Sequence, residues 1–517
     1  VGAIQVILVS RDSCWEVDAN AHQVIVMGTQ FFEGREHRYI DYPIAEMLQM
    51  FGKAGRAGED KKANGVLMVS AVKRDYYKKF LVEALPIESH LQLYLHDAFV
   101  AEISTKTIAS TQDAVDWSTY TYFYRRLLAN PSYYGLTDTS HEGLSAHLSE
   151  LVETTLKDLV EANMIELDEE DDSITALNPA SIAAYYNISF ITMQTFLLSL
   201  SGKTKLKALL EIVTSATEFE GVQMRRHEDH ILRRLSERVP VKLPESAYES
   251  PHFKAFVLLQ AHFSRMQLPV DLAKDQETVL KKVLNLLSAC VDVLSSEGHM
   301  NAMNAMEMSQ MVVQAMWDRD SPLKQIPHFD NERISAANEM GIKDVYEFMD
   351  AMDPSENKDY DKLIKKLGMG QEQLKDAASF TNEYYPNVEL TAEPEDTEIT
   401  AGEPAYLNIT IDRQLEEDEE PASEVHAPFF PANKSESWWL VVGEEATKSL
   451  LAIKRVALGK SLTLKLEYTV PTAGEKELTC FLMSDSYVGV DQAPTFSVTV
   501  AEGEEEDGDE DEEEDEE

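Results

Sequence analysis

Chemistry concentrates in one octapeptide of this chain, Gln49-Met50-Phe51-Gly52-Lys53-Ala54-Gly55-Arg56. Its two glycines allow a tight backbone turn, from which Lys53 and Arg56 project at fixed spacing. Cations held at the end of a helix suit the stabilisation of charge on a transferring phosphoryl group across a cleft. Alone, the same residues make an ordinary helix end with a solvated basic turn. The setting favours the chemical reading, because the motif lies between runs that read as parallel strands. Lys53 and Arg56 are therefore the candidate phosphate-facing cations, and no catalytic residue is assigned.

Other clusters are weaker. His227 and His230, with Glu228 and Asp229 between them, read as neighbours on a helix. A metal there would need two further ligands, so no metal site is expected. The methionines at 300, 303, 306, 308, 311 and 316 read as filler for an irregular core rather than a soft-metal site. The long helix Thr278–Ser295 reads by default as core packing, and Lys281 and Lys282 are its basic residues. The basic residues Lys203, Lys205, Lys207, Arg225, Arg226, Arg233 and Arg234 are interleaved with acids and read as surface ion pairs.

The elements that position these residues follow from periodicity. Ile4–Val9, Gln23–Met27 and Gly65–Ser70 are apolar, β-branched runs that read as buried parallel strands, with a helix over Asp41–Phe51. Residues 97–187 turn helical, over Gln112–Leu128 and His141–Ala162, and close with a small hairpin, Met164–Leu167 and Ile174–Leu177. Two helices and a hairpin is the winged-helix plan, here with an acidic turn, Asp168–Asp172. Residues 188–325 carry long helical periods, most regular in Thr278–Ser295, and 326–386 short helices joined by turns. From Val388 the period becomes two, giving about seven strands, among them Ala405–Arg413, Trp438–Val442, Ser461–Thr469 and Leu478–Ser484. That is a β-sandwich of immunoglobulin-like size.

Composition bounds the function. The 517 residues carry 46 bases and 92 acids, a net charge of −46, and are 44% hydrophobic, enough for several packed domains. Fourteen of the last sixteen residues are acidic, and without them 78 acids still face 46 bases. Such a body excludes a polybasic nucleic-acid sponge. The tail 502–517 reads as a disordered acidic extension. Three cysteines, hundreds of residues apart, exclude a disulfide scaffold or a cysteine zinc module and suit a reducing compartment. No apolar run approaches the ~18 residues of a membrane span, and no membrane partner is expected. The first residue is not Met, and a longer parent with an upstream portion is the expectation.

On these residues a family resemblance rests. The octapeptide resembles the sixth motif of Ski-like superfamily-two RNA helicases, Gln-Met-x-Gly-Arg-Ala-Gly-Arg, with Lys53 in place of its first Arg and Arg56 kept. Ser10–Asp18 takes the place of motif five, with Glu16 for a Gly and Asp18 for an Asn. Lys loses the planar fork of Arg, and a carboxylate is unfavourable beside phosphate. Phe80–His90, Leu259–Leu268, Ala289–Ser296, Gln314–Asp318, Trp438–Gly443 and Met483–Gln492 look like the second, C-terminal cassette of the large spliceosomal DExH-box helicases.

The resemblance implies a multidomain α/β + α + β chain. Its parts would be a partial RecA-like lobe (1–96), winged helix (97–187), helical bundle (188–325), helix–loop–helix (326–386), immunoglobulin-like β-sandwich (387–501) and the acidic tail. The bundle, helix–loop–helix and sandwich together form a Sec-type unit. The resemblance adds Gln49 to Lys53 and Arg56 and makes the three the candidate nucleotide-binding residues, and it makes Lys281 and Lys282 the candidate nucleic-acid contacts. It implies a nuclear, ATP-dependent RNA helicase that unwinds paired small nuclear RNAs, in which this cassette is a non-catalytic regulatory and docking copy. ATP with magnesium would belong to the intact protein and not to this stretch alone, since the P-loop and Asp-Glu-x-His motif lie outside it. Expected partners are the first cassette of the same protein, spliceosomal proteins and, weakly, small nuclear RNA. The alternative is an active module that hydrolyses ATP with its own upstream lobe.

Overall fold

The computed structural model describes all residues except 1–4, 16, 18, 35–37, 84–86, 169, 244–247, 353–359, 416–419 and 503–517. In chain order the elements begin with strands β1 (Gln23–Met27), β2 (Gln30–Glu33) and β3 (Arg38–Asp41), helix α1 (Ile44–Gly52), β4 (Asn64–Met68) and α2 (Arg74–Phe80). Helices α3 (Leu95–Ser104), α4 (Thr111–Thr119), α5 (Tyr122–Ala129) and α6 (His141–Glu161) precede the pair β5 (Ile165–Asp168) and β6 (Ser173–Ala176). Next come α7 (Asn178–Tyr186), α8 (Phe190–Ser199), α9 (Leu206–Thr214), α10 (Asp229–Ser236), α11 (Pro251–Phe263), α12 (Val270–Ser296) and α13 (Ala302–Gln314). Short helices α14 (Asn331–Asn338), α15 (Val345–Ala351), α16 (Tyr360–Leu367) and α17 (Gln371–Ser379) lead to the final sheets.

Two compact units emerge. The first comprises Val1–Gln92, Thr119–Thr139 and Gln223–Ile231. Here β1 pairs in parallel with β4, Gln23 opposite Asn64 through Met27 opposite Met68, while β2 and β3 form an antiparallel ribbon that periodicity did not reveal. Val26, Met47 and Tyr77 are its buried centre. The expected strand over Ile4–Val9 is corrected: residues 5–10 run without strand pairing, and Ile4 lies outside the described residues. An apolar run becomes a strand only where a neighbour completes its ladder. The expectation that these strands are buried is corrected as well, since Met27 and Met68 are 77% and 51% exposed.

Glu88 ties the unit's distant segments together. Its carboxylate accepts from the Arg126 guanidinium at 2.7 and 3.1 Å, Asn130 Nδ2 at 2.9 Å and the Tyr134 hydroxyl at 2.9 Å. These donors hold the Glu88 carboxyl down to about 2, Arg126 foremost. Gly34 marks a close approach, for a Cβ there would sit 2.3 Å from the carbonyl oxygen of Met224.

The second unit holds the remaining residues. In it β5 and β6 form the expected hairpin, and Ile174 N donates to Ala109 O at 2.8 Å, adding a third short rung. The single helical run expected over Gln112–Leu128 is two helices, α4 here and α5 in the first unit, where the Thr121 hydroxyl caps a new start by accepting from Tyr124 N. Helix α11 is buried on all sides from Phe253 to Phe263, its polar Lys254, Gln260 and His262 each hydrogen-bonded inside the bundle. The regular α12 packs beside it, and its stripe Val279, Val283, Leu286, Leu287, Val291 and Leu294 is buried. Met300, Met306, Met308, Met311 and Met316 are at most 3% exposed, so they fill the core.

Two sheets end the chain. One is five-stranded, β11 (Ser449–Val456), β10 (Trp438–Glu444), β13 (Gly474–Ser484), β14 (Thr495–Ala501) and β8 (Glu398–Thr400) in that order. The other is β12 (Ser461–Thr469), β9 (Pro404–Arg413) and β7 (Val388–Pro394). Inward residues of both, such as Ile409, Leu440 and Leu482, share one core with α14–α16. Strand β10 is buried over six consecutive residues instead of alternating, because the helical bundle covers its other face. At its bulge, a Cβ on Gly443 would meet Met300 Cε at 2.5 Å.

Candidate functional site

The octapeptide begins on α1, whose apolar face buries Met47 against the first unit's core. Pro43 precedes the helix, where its fixed φ and missing N–H are harmless. At the C-terminus the chain turns back onto the strand side. Lys53 N donates to Met50 O at 3.2 Å and Gly55 N to Ala21 O at 2.7 Å, with Gly55 at φ +105°. A parallel bridge between Ala21 and Ala54 fastens the turn to the start of β1.

The three candidate nucleotide residues part company here. Gln49 is exposed on α1. Lys53 is half-buried and donates from Nζ to Val17 O at 3.0 Å. It lines a cleft of about 330 Å³ with Ile7–Arg11, Cys14, Tyr42, Met50 and β1. The structure thus brings Lys53 to one cleft with Ser10, Arg11, Cys14 and Val17. The two departures at 16 and 18 lie outside the described residues.

Arg56 is not among the cleft's lining residues. Its Nε donates to Asp60 Oδ2 at 2.9 Å and its Nη2 to Asp60 Oδ1 at 2.8 Å, and its backbone N adds a third bond at 3.0 Å. Glu59 approaches Nη1 at 2.8 Å. His22 Nδ1 lies 3.0 Å from the Asp60 carboxylate. The Asp60 contact raises the Arg56 pKa above its ordinary value and drives the Asp60 carboxyl well below the usual range. A fork matched to a carboxylate in this way is also matched to phosphate oxygens, so the two compete for the same donors.

Arg11 is a site residue that sequence reasoning left without a role. Its guanidinium binds Glu46 of α1 twice, at 2.9 and 2.8 Å, and lies 3.7 Å over the Phe31 ring. It therefore clamps the loop at residues 10–15 to the helix that carries the octapeptide. A basic residue just after an apolar run was the available signal.

The two candidate nucleic-acid residues, Lys281 and Lys282, are exposed on α12. Lys282 donates from Nζ to Glu218 O at 2.7 Å, so it braces a neighbouring turn. In the expected helix–loop–helix, the side chains of the turn at Pro327–Asp330 are engaged with the helices beside it. His328 meets Asp376 at 2.7 Å, and Asp330 caps α14 by accepting from Arg333 N.

A second polar site was not anticipated. Gln310 of α13 donates from Nε2 to Ser484 O at 2.8 Å and to the Asp491 carboxylate at 2.9 and 3.1 Å. Gln314 donates to Ser486 O, and Gln325 exchanges two bonds with Val488. Burial pushes the Asp491 carboxyl up to about 6 even though Gln310 and Ser484 N donate to it. This network joins bundle to sheet.

Comparison with known proteins accords with these features. A family model described as the Sec63 Brl domain matches residues 176–497, and one described as a winged helix-turn-helix domain matches 88–169. The pre-mRNA-splicing factor brr2 of Schizosaccharomyces pombe is 53% identical over 97% of this chain. The U5 small nuclear ribonucleoprotein 200 kDa helicase of Homo sapiens is 45% identical over 97%. A DExH-box ATP-dependent RNA helicase of Arabidopsis thaliana is 44% identical over the same share. The chain spans 23% of the length of each of these relatives. By this match and by its bundle-and-sheet architecture, the chain belongs to the Sec63 Brl-domain family, in the form that accompanies a winged helix in the U5 small nuclear ribonucleoprotein 200 kDa helicases.

Proposed function

We propose that this chain is the C-terminal part of a nuclear, ATP-dependent spliceosomal RNA helicase that unwinds paired small nuclear RNAs, and that this part is a non-catalytic regulatory and protein-docking cassette. In this reading the first unit includes part of a RecA-like lobe, and the final two sheets form an immunoglobulin-like sandwich behind a winged helix, bundle and helix–loop–helix. Gln49, Lys53 and Arg56 face the nucleotide side. ATP with magnesium is bound in the intact protein, and the bundle and sandwich dock spliceosomal proteins and the first cassette.

The observation that supports the non-catalytic reading is the engagement of Arg56. A residue that neutralises a transferring phosphoryl group needs donors aimed at the phosphate. Here Asp60 and Glu59 take both edges of its guanidinium. Lys53 offers a single ammonium in place of a fork and is bonded to a carbonyl. The acidic surface, at a net −46, supports contacts with proteins over extensive contact with RNA.

RNA-stimulated ATP hydrolysis by the cassette, joined to the sequence that precedes it in the parent protein, tests this. The expected result is no turnover above the unstimulated background. Robust turnover that is abolished by Arg56→Ala would overturn the reading in favour of an active helicase module.

A further inference from the structure

His227, Asp229 and His230 do not sit as sequence spacing suggested. His227 precedes the helix, in the left-handed region at φ +61°, and α10 begins only at Asp229. The helical spacing of three would set the imidazoles one turn apart on a shared face. Instead a tight turn folds His227 back toward the first turn of α10. The donor atoms of His227, Asp229 and His230 all lie within 4.8 Å of one another. Asp229 Oδ2 is 3.8 Å from His230 Nε2, and the two imidazole rings lie 24° from parallel.

The turn is built rather than loose. Between the two histidines, Glu228 is 4% exposed and points the other way. Its carboxylate accepts from Arg225 N and from the Arg225 guanidinium, each at 3.1 Å. Its backbone N donates to Arg225 O at 3.2 Å, and its O accepts from Ile231 N at 2.9 Å. With residue 228 anchored inward, residues 227, 229 and 230 are displayed outward together.

We propose that His227, Asp229 and His230 form a binding site for a divalent transition-metal ion of the zinc type. Two imidazoles and a carboxylate are the donor set that such ions take, whereas calcium and magnesium require oxygen ligands. Ligands at ~2.1 Å in tetrahedral geometry stand roughly 3.4 Å apart. The donor atoms, already within 4.8 Å of one another, need only a small approach to reach that spacing. Three protein ligands leave a fourth position for water or for a donor from a partner. A bound ion would staple the 225–228 turn to the start of α10.

The test is a titration of the full chain with Zn²⁺ in competition with a colorimetric chelator, and with Co²⁺ read by its visible ligand-field absorption. His227→Asn keeps a residue that tolerates positive φ, and His230→Ala and Asp229→Asn complete the set. One equivalent of metal is expected, bound at least tenfold more weakly in each histidine variant and severalfold more weakly in Asp229→Asn. Unchanged melting temperatures of the metal-free variants would show that the fold is kept. No competing affinity in the parent chain, or an affinity that both histidine variants retain, would overturn the proposal.

Discussion

The guanidinium of Arg56 and the carboxylate of Asp60 form a two-pronged pair, Nε at 2.9 Å and Nη2 at 2.8 Å, four residues apart on a turn that has already left α1. A phosphate approaching Arg56 meets donors already committed to Asp60. If Arg56 faces a nucleotide, as proposed, Asp60 competes with the phosphate for its donors. In a protein that includes the upstream sequence, Asp60→Ala should tighten binding of a fluorescent ADP analogue about threefold or more. The gain should vanish in the Arg56→Ala, Asp60→Ala double variant. An equal gain in the double variant would mean that Asp60 acts through something other than Arg56.

Lys254 of α11 is fully buried and donates from Nζ to Asp275 of α12 at 2.6 Å. Removing one member of such a pair strands the other charge inside the bundle, at a cost of roughly 3–5 kcal/mol. Lys254→Met should lower the unfolding free energy by that order in urea denaturation. The Lys254→Met, Asp275→Leu double variant should recover most of the loss, because neither charge of this pair is then left buried without the other.

Two buried groups give opposite pH dependences. Burial lowers the His262 pKa to about 4, although its ring bonds to Val312 O at 2.7 Å. Its stabilising contribution is complete above about 6.5 and is lost as pH falls toward 4, by about 3 kcal/mol. Burial raises the Asp491 pKa to about 6 from an unfolded value of 3.8. Its contribution is present below 3.8 and is lost as pH rises through 6, again by about 3 kcal/mol. Relative to the parent chain, Asp491→Asn should make stability rise more steeply between pH 4 and 6, and His262→Gln should make it fall. Chemical denaturation at stepped pH reads both slopes.

If Lys281 and Lys282 contact RNA phosphates, replacing both with Ala should reduce the slope of log K against log salt by roughly 1.4 for a single strand. Lys282→Ala alone should also loosen the turn at Glu218, whose carbonyl it holds. Fluorescence anisotropy over a salt series measures the first effect. An unchanged slope removes α12 from the RNA path.

Much of the fold was legible because polarity repeats locally. The period of two in Leu407, Ile409 and Ile411, and the helical stripe of α12, each reflect one face meeting a core. The same logic failed where pairing is not local. β8 is three residues long and pairs in parallel with β14, about a hundred residues later, so no local period marks it. Residues 5–10 have the composition of a strand without a ladder.

The site divides in the same way. Sequence alone determined that Lys53 and Arg56 share a turn at the end of a helix, since glycine spacing and helix period are properties of neighbouring residues. It also determined that the body is acidic. Only tertiary structure decided what those side chains meet: Val17 O for Lys53 and Asp60 for Arg56, with His22 brought to Asp60 from 38 residues away. It likewise placed Gln310 on Asp491 across 181 residues and turned Glu228 inward so that its neighbours face out together. Backbone propensity acts over a few residues, whereas hydrogen-bond partners are chosen by packing, and packing joins segments that the sequence holds far apart.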